Sequence, residues 1–455
     1  MEVIKIKLPD IKFFFLLMPL LLTEANALES LVTDAAENGD IALVKQLLKE
    51  GVEVNEPQGD GMTALHWAAE RGNSELAEIL IYAGANPMAG TRIGQYKPLH
   101  LAAKKGNADI IKILLDTGID PNITTANSGS TALHLAAASG NIESVTFLLL
   151  AGAQINIRES AWGQTPLIFA AAANHVGVMQ ALLDAGADPA LSSNIVDVIQ
   201  MEKADQSAEK KINEIIAQFK EKEVGGTDWL PTASQVQAAI ESGREIQRNW
   251  SAIQKTKEDK ENTALDTGEE FQQSVAIRQP DLPTVLTYNA DGEPVYELNS
   301  ETGGEKKESR QSYGQMVGKW GGLTPLLHAI RQGHQEAVDL LLDSNVDINQ
   351  PSGDGTTPLL MTTINGQFDL AMKLIKKGAN PNMVSDAGTS PLFAVLERKW
   401  APKASYAHPI EHQQQQATHL DVIRVLLKSG ADPNIRMNQH LWYTESTFFI
   451  MSSGG

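Results

Sequence analysis

Residues 405–419, SYAHPIEHQQQQATH, hold three of the chain's ten histidines. The core of this stretch is His408-Pro409-Ile410-Glu411-His412. Two imidazoles four residues apart can share one metal ion, and a carboxylate beside them can act as general base toward a metal-bound water. That spacing raises metal-assisted hydrolysis as a possible chemistry. A second imidazole series, His66, His100 and His134, recurs every 34 residues and could line a ladder. Other constellations are absent. The chain has no cysteine and therefore no thiol nucleophile. It contains no G-x-S-x-G stretch and no glycine-rich loop between a strand and a helix, and its paired carboxylates fall on charged, solvated faces.

The pattern at 408–412 is similar to the H-x-x-E-H stretch of inverted zinc peptidases. Three features weigh against it. Pro409 favours a helix start, which leaves His408 outside regular helical geometry. Those peptidases take a third ligand, a glutamate, well downstream; 43 residues follow His412, and Glu445 is their only glutamate. The motif also lies in a short insert, with no α/β domain around it to form a cleft. The expected role of the stretch is loop packing with Trp400, Tyr406 and the glutamines. No catalytic residue and no cofactor are expected, and His408 and His412 stand as the metal-binding alternative.

The elements that would position these residues are repetitive. TALHWAA begins at Thr63, KPLHLAA at Lys97, TALHLAA at Thr131 and TPLIFAA at Thr165, each step 34 residues. TPLLHAI begins at Thr324, TPLLMTT at Thr357 and SPLFAVL at Ser390, at steps of 33. Twenty-one residues after each of the first six starts comes Gly84, Gly118, Gly152, Gly186, Asn345 or Gly378. Thr or Ser caps a helix, and Pro suits its first position, where an N–H would go unpaired. Leu and paired Ala at helical spacing form a buried face of small side chains. Glycine after the first helix, and glycine or asparagine after the second, accepts the left-handed conformation of a helix end. Stretches such as GADP and GANPN turn the chain toward the next unit.

The T-P-L-H-x-A pattern at this period resembles the ankyrin repeat. Six units match well, Ser30 opens a degenerate first unit, and the Ser390 unit is split by 19 extra residues. The resemblance implies an all-α solenoid of stacked ankyrin repeats, each a helix–turn–helix with a protruding β-hairpin finger, and a concave binding face. It also implies that the recurring histidines are structural hydrogen-bonders between neighbouring fingers. By repeat phase, a protein interface would include Glu70, Arg71, Tyr96, Lys104, Lys105, Trp162, Gln164, Trp320, Arg331 and Gln332.

Domain boundaries follow from the phase of the repeats. Residues 1–27 read as a signal peptide: Lys5, Lys7 and Lys12, then the apolar run Phe13–Leu22, then Ala25-Asn26-Ala27 as a cleavage site. Residues 28–189 form the N-terminal array of a degenerate cap and four repeats. Residues 190–322 interrupt the array at a finger. Within them two helices, a mobile polar stretch KTKEDKENTALDTGEE and a hairpin TVLTYNADGEPVYELN are expected. Residues 323–434 are the C-terminal array, with the insert at about 398–417, and 435–455 read as an incomplete repeat or a cap.

Composition bounds the partners. The net charge of −19 opposes nucleic acid and anionic lipid as main partners. Without cysteine there is no lipid-anchored N-terminus and no disulfide, which suits a bacterial periplasm. The expectation is an exported, monomeric scaffold for a protein partner, periplasmic or secreted and bacterial in origin. The alternatives are a metal-dependent hydrolase or metal-binding protein at His408, Glu411 and His412, and a passive spacer of the cell envelope.

Overall fold

A computed structural model describes residues 30–222, 229–266, 286–288, 294–296, 312–400 and 415–438. The chain divides into two compact units, residues 1–196 with 319–455, and residues 197–318.

The first unit is a solenoid of helix pairs. Its helices are α1 (Leu31–Glu37), α2 (Ile41–Lys49), α3 (Ala64–Arg71), α4 (Ser74–Tyr82), α5 (Pro98–Lys105), α6 (Ala108–Asp116), α7 (Ala132–Ser139), α8 (Ile142–Leu150), α9 (Pro166–Ala172) and α10 (Val176–Asp184). After the excursion described below come α14 (Pro325–Gln332), α15 (Gln335–Asp343), α16 (Pro358–Asn365), α17 (Phe368–Lys376), α18 (Pro391–Trp400) and α19 (His419–Lys428). Starts and stops are local. Thr324 and Thr357 cap their helices by accepting the amides of Leu327 and Leu360, each at 3.2 Å. Pro98, Pro166, Pro325 and Pro358 open helices. Gly72, Gly106, Gly140, Gly333 and Gly366 end them in the left-handed conformation. Asn345 takes the same conformation at φ 59°, as asparagine tolerates better than other side chains.

The first helices of successive repeats pack on one another: α3 on α5, α5 on α7, α7 on α9, then α9 on α14, α14 on α16 and α16 on α18. The alanine pairs Ala68/Ala69, Ala102/Ala103, Ala136/Ala137 and Ala170/Ala171 are fully buried between them. Small side chains allow the close approach, and Leu76, Ile110, Leu148 and Leu182 of the second helices fill the space behind.

The fingers are tight turns closed by one backbone bond at an equivalent place. Thr125 N donates to Ser130 O (2.9 Å), Glu159 N to Gln164 O (3.0 Å), Ser352 N to Thr356 O (3.0 Å) and Ser385 N to Thr389 O (3.1 Å). Ser193 N donates to Leu323 O at 3.0 Å, so this finger closes in the same way across the whole excursion. A second series links one finger tip to the next: Ala126 N to Gly94 O, Ser160 N to Ser128 O, Asn194 N to Trp162 O, Gly353 N to Gly321 O and Asp386 N to Asp354 O, at 2.7–2.9 Å. Asn438 N continues it by donating to Ala387 O at 2.8 Å. Strand β1 (Ile195–Asp197) pairs with β4 (Lys319–Gly321) at the root of the excursion. There a Cβ on Gly321 would collide with the Asn194 carbonyl oxygen, so only glycine fits. The repeats on either side of the excursion are direct neighbours: α10 packs on α15, and His334 Nε2 donates to Ala172 O at 3.0 Å.

The second unit contains α11 (Val198–Lys222), α12 (Ala233–Asp266), the short α13 (Tyr313–Val317) and strands β2 (Leu286–Tyr288) and β3 (Pro294–Tyr296). α11 and α12 run antiparallel, with Gln247 Nε2 on Asp205 (2.8 Å) and Trp250 Nε1 on Gln200 (3.3 Å). Ala204, Ala208 and Ala239 are buried along their contact. Glu202 holds α13 by accepting from Ser312 Oγ at 2.6 Å and from Gly314 N at 2.7 Å. The stretch from Lys255 to Asp266, expected to be mobile, is the end of α12. Its lysines, glutamates and alanine are good helix formers. β2 and β3 pair antiparallel, Leu286 opposite Tyr296; the turn expected at Asp291-Gly292 lies outside the described residues.

Candidate protein-interaction surface

The recurring histidines come first, because they decide whether the ladder can do metal chemistry. His66 Nδ1 accepts from Thr63 N (3.1 Å) and lies 2.8 Å from Thr63 Oγ1, while Nε2 faces Tyr96 O at 3.0 Å. His134 repeats this with Thr131 (3.2 and 2.9 Å) and Gln164 O (3.1 Å). His100 accepts from Lys97 N (3.0 Å) and faces Ile123 O (2.9 Å). A backbone amide donating to Nδ1 and a carbonyl receiving from Nε2 fix a neutral imidazole protonated at Nε2. Both nitrogens are engaged, and no lone pair is left for a metal. Burial lowers the pKa of all three, that of His134 to about 4, against the raising effect of the hydrogen bond to Gln164. These side chains tie each first helix to the next finger.

His328 stands one position later in its repeat, where Leu327 occupies the histidine position. It is buried, Nδ1 lies 3.3 Å from Arg331 Nη2, and Nε2 has no hydrogen-bond partner among the described residues. Burial first, then the Arg331 charge, lowers its pKa to about 3.

His408, Glu411 and His412 lie outside the described residues. The insert is tied down at its far end: Asp369, on the first turn of α17, accepts from Gln416 N (2.9 Å) and Ala417 N (2.7 Å) just before Thr418 caps α19. Among the described residues, no group of three or more His, Asp or Glu could hold a metal ion.

The ten expected interface residues fall into two sets. Glu70 and Arg71 end α3, Lys104 and Lys105 end α5, and Arg331 and Gln332 end α14. All are exposed except Glu70, which is half-buried and ion-paired to Lys105 at 2.7 Å. Tyr96, Trp162, Gln164 and Trp320 belong to fingers. Tyr96 and Gln164 are half-buried, and their carbonyls receive the histidines, so both carry structural contacts. Tyr96 also sits edge-on to His100, with ring centroids 6.1 Å apart.

Trp162 and Trp320 are brought together from 158 positions apart in the chain. Their ring centroids are 5.4 Å apart and tilted by 58°, and the residues remain 52% and 43% exposed. Sequence reasoning missed what holds the tip. Glu159 is buried, and its carboxylate accepts from the amides of Ala161 (2.6 Å), Trp162 (2.8 Å) and Gln164 (2.9 Å). A signal was present: five of the other fingers carry Thr91, Thr125, Ser193, Ser352 or Ser385 at this position. The stacking of the Arg71 guanidinium 5.8 Å from the Trp67 ring centroid was also missed, although four residues on one helix predict such a contact.

The family profile described as Ankyrin repeats matches residues 32–125, 123–193 and 297–397, more than half of the chain. Among curated proteins, a 73-residue segment is 40% identical to the Transient receptor potential cation channel subfamily A member 1 homolog of Caenorhabditis elegans, covering 16% of this chain and 6% of that protein. A 60-residue segment is 35% identical to Ankyrin repeat domain-containing protein 39 of Homo sapiens, covering 13% of this chain and 33% of that protein. The chain thus spans a third or less of the length of these relatives, and the likeness reaches the repeats rather than whole proteins. With the helix pairs, finger closures and histidine bridges in place, the chain belongs to the ankyrin-repeat family.

Proposed function

We propose that this protein is an exported, monomeric, non-enzymatic scaffold that holds a protein partner on the first-helix ends and fingers of its array. The observation that carries the reading is the Trp162–Trp320 pair, two indoles left about half exposed on a tip whose backbone is fixed by Glu159. Exposed aromatic side chains on a rigid support are what energetically dominant interface residues look like, and little ordering entropy opposes their use. The ankyrin family supplies the general role of protein binding. The basic and then apolar N-terminal stretch with Ala25-Asn26-Ala27 supports export. Among the described residues, no helix is long and apolar enough to cross a membrane. No observation favours a metal-dependent reaction at His408, Glu411 and His412.

The test is crosslinking capture from the native source with wild type and with Trp162→Ala/Trp320→Ala. The double variant is expected to lose most of the captured partner, roughly 2 kcal/mol or more in affinity, with thermal unfolding unchanged. Undiminished capture by the double variant would refute the interface.

A further inference from the structure

Basic side chains gather on one short stretch of the array, although the whole chain carries a net charge of −19. Arg71 closes α3, Lys104 and Lys105 close α5, and the two helices are packed together. The finger that leads into α5 is pinned to α3 by the bond from His66 Nε2 to Tyr96 O. Its tip presents Arg92 and Ile93, both exposed, Ile93 at 86%. Trp67 lies under the Arg71 guanidinium and supplies an apolar floor. Glu70 takes up one of the cations, Lys105, at 2.7 Å. Among the described residues, no carboxylate pairs with Arg71, Arg92 or Lys104.

We propose, resting on the scaffold reading, that Trp67, Arg71 and Lys104, with Lys105 beside them, dock an acidic peptide segment of the partner that carries a large apolar anchor. Charge complementarity selects the acidic segment, and guanidinium groups can grip carboxylates with two parallel bonds. Trp67 gives the anchor a surface to cover. A nucleic acid is disfavoured by length. Screening limits each charge to about 8 Å at physiological salt, so a short acidic segment responds to the local patch. A long polyanion would run on over the rest of a strongly acidic chain. Within this site Glu70 competes with the ligand for Lys105.

The test is selection of a random-peptide display library on the immobilised full chain. Enriched peptides are then synthesised and titrated by fluorescence anisotropy against wild type, Lys104→Glu, Glu70→Gln and Trp162→Ala, at low and physiological salt. Expected are peptides rich in Asp and Glu with at least one large apolar residue. They should weaken roughly tenfold with Lys104→Glu, tighten with Glu70→Gln, which frees Lys105, and weaken with salt. All these positions are on the surface, and circular dichroism melts check that the variants fold. Neutral or basic peptides, or acidic ones indifferent to Lys104→Glu, would overturn the assignment. Peptides sensitive only to Trp162→Ala would overturn it and leave the scaffold reading standing, whereas failure to select any peptide would count against both. Stronger binding of polyuridylate RNA than of any selected peptide, lost on Lys104→Glu, would overturn it in favour of a nucleic-acid site.

Discussion

The imidazole of His134 is fully buried between the backbone of its own helix start and the carbonyl of the next finger. Its job is to satisfy polar groups that burial would otherwise leave unpaired, a penalty of about 1–3 kcal/mol for each. That role has a pH signature. The folded pKa lies near 4, below the unfolded value of 6.5, so between these the unfolded chain binds more protons. The neutral-imidazole contribution is therefore complete above pH 6.5 and is lost as pH falls toward 4, amounting to roughly 3 kcal/mol at the low end. His66 and His100, shifted the same way, add to it. We expect urea midpoints to fall from pH 7.5 to pH 5. His134→Gln should lower stability at pH 7.5 and flatten the pH dependence, and an unchanged slope would contradict the assignment of the neutral tautomer. At the same scale, the His408–His412 spacing was legible as chemistry and then weakened by its own neighbours, Pro409 and the scarcity of downstream glutamate.

At the scale of elements, the point of interest is the finger that closes on Ser193 and Leu323. It uses the backbone bond of an ordinary finger, where Thr125 and Ser130 span only residues 126–129. The excursion therefore hangs from a complete finger, and the repeats on either side stack through α9 on α14 and His334 on Ala172. Shortening a loop of this length gains at most about 3 kcal/mol of closure entropy. Replacing residues 194–322 with the turn Ala126–Gly129 should leave the thermal midpoint of the array unchanged or higher, as read by circular dichroism. A fall of the midpoint would show that the excursion stabilises the repeats. The register of the repeats puts the interruption at residue 190. The backbone pairing moves its start to Asn194, because Ser193 still takes part in closing the finger. The position of a single hydrogen bond is not visible in a 34-residue rhythm.

For the molecule as a whole, the array is quasi-one-dimensional, each repeat contacting its neighbours, so it can carry a long excursion and a split last repeat without losing its stack. The chain carries a net charge of −19, and the local cations of α3 and α5 stand out against it. The export proposal belongs to this scale. Expressed with its own N-terminus in a Gram-negative host, the chain is expected in the periplasmic fraction, with Leu28 as first residue by mass spectrometry. Cytoplasmic protein retaining residues 1–27 would refute it.

Helix starts at Thr63, Thr131 or Thr357, stops at Gly72 or Gly366, and the alanine faces between them were readable from sequence. Each depends on the conformational preference of a residue and its near neighbours, and repetition reports the same preference several times. The ankyrin architecture therefore required no long-range information. The tertiary structure alone decided that Trp162 meets Trp320, and that Tyr96 and Gln164 serve the core as much as the surface, their carbonyls receiving histidines thirty positions away. These depend on distances through space between segments whose separation in the chain carries no energetic mark. Only the folded stack, by bringing repeats four and five together across the excursion, turns isolated aromatic and charged letters into a surface.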